Sequence, residues 1–135
     1  MKYQFNQHYT VAEARALLPD IRTWLSDIRK FQKAIQLGDD QFKKRMSGGD
    51  DLGGPIVDEQ MKRYLGLGRT LQAFKDKQIQ IKETGRGLVD FPAMQECGEA
   101  FLCWEESEDD ILFWHKLEDG FSGRRPILNA KRPSI

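Results

Sequence analysis

The side chains in this sequence best suited to chemistry lie in its last third. His115 closes the apolar run "ILFWHKL", Asp90 sits in "GLVDFPA", and Arg124 with Arg125 follows a glycine in "GFSGRRPI". An aspartate can orient a histidine and fix which ring nitrogen carries its proton, and histidine titrates near neutrality. An arginine fork can clamp a carboxylate or a phosphate. Brought together, Asp90, His115, Arg124, Arg125 and the neighbouring Trp114 suit a small anionic ligand. Asp90 and His115 alone suit an acid–base pair. The plainer reading is structural: Asp90 caps the turn at "DFPA" or pairs with an arginine, and His115 completes a strand.

Cys103 widens the choice. With His115 and Asp90 it supplies a ligand set for zinc or a similar ion. Spacing adds little, because no Cys-x-x-Cys or His-x-x-x-His pair occurs and His8 stands far off in the N-terminal arm. Between Leu102 and Trp104, Cys103 reads as a small buried hydrophobe. A Cys–His nucleophile needs an exposed, electropositive thiolate, and this setting does not offer one. No cofactor is expected from these patterns, with a metal ion at His115, Asp90 and Cys103 as the weaker option. "GFSGRRPI" lacks the Lys and Ser/Thr of a phosphate loop.

Positioning these residues falls to two kinds of element. "TVAEARALLPDIRTWLSDIRKFQKAIQLG" reads as a helix, opened by a capping box at Thr10 and Glu13. Leu17, Leu18, Ile21, Trp24, Leu25, Ile28, Phe31 and Ile35 recur at three- and four-residue steps and make one apolar face. Pro19 predicts a kink or short break, and Gly38 a stop. The glycine-rich stretch 39–54 reads as a flexible connection. Residues 55–77 form a second helix, with a stripe through Ile56, Met61, Tyr64, Leu65, Leu67, Leu71 and Phe74. Gly66 and Gly68 weaken it unless close packing uses their missing side chains. Four strands follow, "QIQIKE", "LVDF" ended by Pro92, "EAFLCWEE" and "ILFWHKL", and their short links require antiparallel pairing. The expectation is one α+β domain over 1–135. A helical hairpin at about 10–75 packs on a four-stranded meander with its C-terminal turn at about 78–127.

Strands three and four are apolar on both sides. Phe101 and Cys103 oppose Leu102 and Trp104. Ile111, Phe113 and His115 oppose Leu112 and Trp114. A sheet with one wet face alternates instead. Both faces are therefore expected to be covered, one by the helices and the other by a loop, a ligand, the C-terminal tail or a second copy. Trp104 and Trp114, on adjacent strands, are placed to stack.

Charge bounds the partners. The 21 basic and 21 acidic residues cancel, which gives no electrostatic case for nucleic acid or an anionic membrane. Residues 1–86 carry 16 Lys+Arg against 11 Asp+Glu, and residues 87–135 carry 5 against 10. That split favours head-to-tail association. No run is long enough for a membrane helix, and the N-terminal residues lack the apolar core of a signal peptide, so a cytoplasmic location is expected.

"GLVDFPA", "LCW", "WH" and "GFSGRRPI", in this order and spacing, resemble the signature of an uncharacterised bacterial family, domain of unknown function two-two-zero-three. The resemblance extends to "EARALLP" in the first helix and departs from the common pattern in the glycine-rich middle. It implies no activity and no catalytic residue.

The reading is a self-associating binding or assembly module, with a dimer favoured. Its small anionic ligand or protein contact meets the "WHKLEDGFSGRRP" edge, and enzyme activity is not expected. The alternatives are a small hydrolase-like or metal-dependent enzyme using Asp90 and His115, and a nucleic-acid accessory using the basic stretches "FKKRM" and "MKRYLGLGR".

Overall fold

A computed structural model describes residues 2–49 and 54–127. Helix α1, Val11–Ser47, begins at the expected capping box. Thr10 Oγ1 accepts from Glu13 N at 3.1 Å, and Glu13 Oε1 accepts from Thr10 N at 2.9 Å. Ala14, Leu18, Ile21, Leu25, Ile28 and Ile35 are its buried residues, spaced to keep one face on the core.

Two sequence expectations fail in this helix. It runs through Pro19 without a break, its buried residues Leu18 and Ile21 packed into the core on either side. It also passes Gly38 and continues to Ser47, so 39–47 is helix rather than loop. Gly38 is a contact point: an added Cβ would collide with the Gln60 carboxamide of the second helix. That carboxamide donates to Ile35 O at 2.9 Å and Asp39 Oδ1 at 2.7 Å, which holds the extended turns. Of the expected connection, 50–53 lies outside the described residues.

Helix α2, Pro55–Asp76, returns antiparallel, as Gln60 beside Gly38, Gly66 beside Phe31 and Phe74 beside Trp24 show. Its stripe is only partly buried. Phe74 is inside, while Met61, Tyr64 and Leu65 are about half exposed because this end of the hairpin has no sheet over it. The two mid-helix glycines differ. A Cβ at Gly66 would lie 2.5 Å from the Phe31 ring, whereas Gly68 meets nothing within 4 Å. Gly68→Ala should therefore stabilise by about 1 kcal/mol through helix propensity. Gly66→Ala should lose about 1 kcal/mol, as overpacking outweighs the same gain. Urea denaturation measures both, and equal gains would show that Phe31 moves aside freely.

Five strands, not four, form one antiparallel sheet in sequential order: β1 Gln80–Glu83, β2 Leu88–Gln95, β3 Gly98–Glu105, β4 Phe113–Lys116 and β5 Arg125–Pro126. Pro92 does not end β2. Its carbonyl accepts from Tyr9 N at 2.7 Å. A strand residue aims N and O at the same edge, so its missing donor also faces that edge, beyond the last β1 pair at Gln80–Asp90. Ile111 precedes β4 and joins the helix-side core instead of sharing a side with Phe113 and His115. Register sets Trp114 opposite Leu102, and Trp104 opposite Val89, so the tryptophans are not a direct cross-strand pair.

The helix-side face carries Val89, Phe91, Ala93, Leu102 and Trp104, all buried under α1 and α2. Three arginines at seven-residue spacing fasten α1 to the sheet turns. Arg15 Nε donates to Asp110 Oδ1 at 2.7 Å, Arg22 to Glu106 O and Glu108 O, and Arg29 to Thr84 O. The opposite face carries Leu88, Asp90, Pro92, Phe101, Cys103 and His115, all buried too. Its cover comes from the same chain. The N-terminal arm sets Phe5 against Phe101, and the turn 117–124 lies across the strands. Glu99 anchors the arm by accepting from Gln4 N, Phe5 N and His8 Nε2. The C-terminal tail proposed for this face, 128–135, lies outside the described residues. The two-sided apolar pattern is thus accounted for within one chain, which removes it as an argument for a second copy. No described helix is long and apolar enough to cross a membrane.

Candidate functional site

Asp90, Cys103 and His115 come from three adjacent strands, β2, β3 and β4. Register places Asp90 directly opposite Cys103, with His115 diagonally across, two residues along β4 from the Phe113 that faces Cys103. Strand alternation aims all three at the face away from the helices. One ligand-capable atom from each lies within 4.8 Å of the others, and all three residues are buried. The Asp90 Oδ2 to His115 Nε2 distance is 3.0 Å.

The histidine is held at both ends. Its Nδ1 lies 2.7 Å from the Lys116 carbonyl, which can only accept, so Nδ1 carries a proton. The remaining nitrogen faces the Asp90 carboxylate. Burial opposes a charge on the ring. The hydrogen bonds to Asp90 and the Lys116 carbonyl, with the charges of Asp90 and Asp119, outweigh it and raise the histidine above its ordinary 6.5. Burial also pushes the Cys103 thiol up to about 12, with the Asp90 charge adding to it and Arg124 opposing. The thiol also hydrogen-bonds the carboxylate. Asp90 Oδ1 is buried without a hydrogen-bond partner by distance and angle. A thiol this reluctant to ionise, beside a ring whose two nitrogens are occupied, is not a Cys–His nucleophile.

The cluster lines a cavity of about 240 Å³, walled by Leu88, Phe101, Leu117 and Phe121, with Lys82 and Asp119 adding charge. The larger cavity, about 520 Å³, lies between the arm, the end of α2 and β1. Lys75 is its one charged lining residue, so the smaller cavity is where polar groups converge.

The two arginines are elsewhere. Arg124 Nη2 donates to both carboxylate oxygens of Glu108, at 2.6 and 2.8 Å, and to Cys103 O at 3.2 Å. Its guanidinium packs 4.0 Å from the Phe113 ring centre and 4.5 Å from that of Phe121. Arg125 is exposed and lies 5.4 Å over Trp114, on the helix side of the sheet. Neighbouring residues thus reach opposite faces, and the two cannot clamp one anion together. Sequence reasoning missed Glu108, the partner of Arg124. It sits in "SEDD", where four polar residues give no sign of which one turns inward.

A model of the family described as Uncharacterized conserved protein (DUF2203) matches residues 7–127. No curated protein and no solved structure matches the chain.

Proposed function

Since the chain belongs to the DUF2203 family of uncharacterized conserved proteins, which supplies a lineage and no chemistry, we propose from the geometry that it is a small-ligand binding module. Its site is the cavity between β2–β4 and the 117–121 turn. The ligand presents a positive centre or hydrogen-bond donor to Asp90 and an apolar flank to Phe101, Leu117 and Phe121.

One observation carries this reading. Asp90 Oδ1 is a buried acceptor without a partner, on a carboxylate that lines a cavity. Leaving such a group unpaired costs about 1–3 kcal/mol, which a bound donor would recover. An anion is the poorer fit. Arg124 is neutralised by Glu108, and two carboxylates line the cavity against Lys82 and the His115 ring. A donor ligand at Asp90 is proposed in place of the anionic ligand expected from Arg124 and Arg125. Nothing in the reading requires a second copy.

The test is a set of amide NMR spectra with isobutylamine and, separately, isobutyrate. The amine should shift resonances of 88–92, 101–103 and 115–121, and Leu117→Trp, which fills the cavity, should abolish the shifts. Shifts caused by isobutyrate alone, or by neither compound, would defeat the reading.

A further inference from the structure

We propose that Asp90, Cys103 and His115 form a binding site for a divalent transition-metal ion of the zinc class, with a fourth coordination position toward the cavity. The inference rests on the reading of that cavity as a binding site and names its cation.

Donor chemistry selects the ion. One thiolate, one imidazole and one carboxylate make a mixed soft and borderline set, which suits zinc, cobalt or iron and not magnesium or calcium. Ionised Asp90 and Cys103 contribute two negative charges, so a divalent ion gives a neutral buried complex. Leaving a net charge on this buried sheet face would incur the full desolvation cost.

The geometry is near what a tetrahedral ion needs. Metal–ligand distances of about 2.0–2.3 Å set ligand atoms about 3.3–3.8 Å apart. The Asp90–His115 pair at 3.0 Å would open by a few tenths of an ångström, and the widest separation, within 4.8 Å, would close by about one. These are side-chain adjustments on a fixed strand register.

Support for the histidine is already built. The Lys116 carbonyl accepts a hydrogen bond from Nδ1–H and turns Nε2 toward Asp90, the arrangement by which outer groups orient a metal-binding imidazole. A second, independent observation is the unpartnered Asp90 Oδ1 on a residue only 2% exposed. A metal ion would engage the thiol directly in place of its contact with the carboxylate. On binding, the Cys103 Sγ–H bond breaks and its proton leaves to solvent, as does any proton on His115 Nε2. Three coordinate bonds form and no electron is transferred.

Three protein ligands leave a fourth position, and the cavity adjoins them. A water, or a lone pair of a small molecule in the cavity, can occupy it.

The experiment uses the full chain, stripped with chelator and titrated anaerobically with Co²⁺. Binding of one equivalent should produce intense visible bands of tetrahedral cobalt and a near-ultraviolet thiolate charge-transfer band, both displaced by Zn²⁺. Cys103→Ser, checked for folding by circular dichroism, should lose the charge-transfer band. It should also weaken binding by about 100-fold or more, beyond the loss of a supporting hydrogen bond. Cys97→Ser, at the exposed cysteine, should change neither. The proposal is overturned by weak octahedral bands only, by loss of the charge-transfer band in Cys97→Ser, or by equal Co²⁺ affinity in Cys103→Ser. If cobalt fails while isobutylamine still shifts the cavity resonances, the metal falls and the binding reading stands. If both fail, both fall.

Discussion

Asp90→Ala should destabilise the metal-free fold by about 3–5 kcal/mol, among the largest single-residue effects in the chain. The cost comes from what is left behind. Asp90 and His115 are 2% and 3% exposed at the side chain, and they face each other at 3.0 Å. Removing the carboxylate leaves a ring that must either keep an uncompensated buried charge or give up its proton. His115→Ala should cost a similar amount by stranding the carboxylate, whose Oδ1 already lacks a partner. Replacing both members together, Asp90→Leu with His115→Phe, should recover most of the loss, because two buried charges and their desolvation disappear at once. Urea denaturation of the two single variants and the double variant, with chelator present, closes the cycle. A single-variant cost below about 1 kcal/mol would mean that the pair carries no buried charge. A double variant as unstable as the sum of the singles would mean that its two members do not interact.

The same pair fixes a pH signature. His115 is raised in the folded protein above its ordinary 6.5, so folding favours the protonated ring. That contribution is complete below the unfolded value and is lost as pH rises through the raised folded value. Wild type should therefore lose stability from about pH 6.5 upward, and Asp90→Asn should flatten that slope. Urea midpoints from about pH 6 to 9 read it directly. A stability that rises over this interval would reverse the assignment.

Local signals were legible and relational ones were not. The Thr10–Glu13 capping box and the face through Leu18, Ile21, Leu25 and Ile28 depend on spacing within one helix, and both are present as read. Gly38 misleads because its reason for being glycine is Gln60, which lies on the other helix. Pro92 misleads because its tolerance in β2 depends on where β1 stops and on Tyr9 lying at that edge. Strand β5 is two residues long and carries no period to detect. At the site, residue types alone suggested Asp90 with His115. Cys103 is the weaker third member of that set, and its place beside them follows from register, since the pairing that sets it opposite Asp90 is settled by the whole β2–β3 ladder. The cover on that face was expected because alternation failed on β3, but its source, the arm and the 117–124 turn, follows from the path of the chain and not from composition.

Arg124→Ala is the second large effect, with an expected loss of about 3 kcal/mol. The guanidinium and Glu108 are 12% and 16% exposed, so solvent screens their attraction little. One Nη2 group serves both carboxylate oxygens and the Cys103 carbonyl, while the plane of the side chain covers Phe113 and Phe121. Alanine strands a half-sequestered carboxylate and uncovers two rings that close the cavity. Arg124→Lys separates the two contributions. An ammonium can still donate to Glu108 but cannot lie flat against two rings, so it should still lose about 1–2 kcal/mol. Glu108→Gln, which keeps the shape of the acceptor, should cost about as much as the lysine variant, since a hydrogen bond to a charged group is worth about 1.5–3 kcal/mol. If Arg124 instead served as an anion clamp, its removal would leave urea stability nearly unchanged and weaken binding of inorganic phosphate. The clamp on Glu108 predicts the opposite pair of results: lost stability and no phosphate dependence in either protein. Because Phe121 walls the cavity from that same turn, Arg124→Ala should also broaden the amide resonances of 117–123, which Arg125→Ala, at an exposed position on the helix side, should leave sharp.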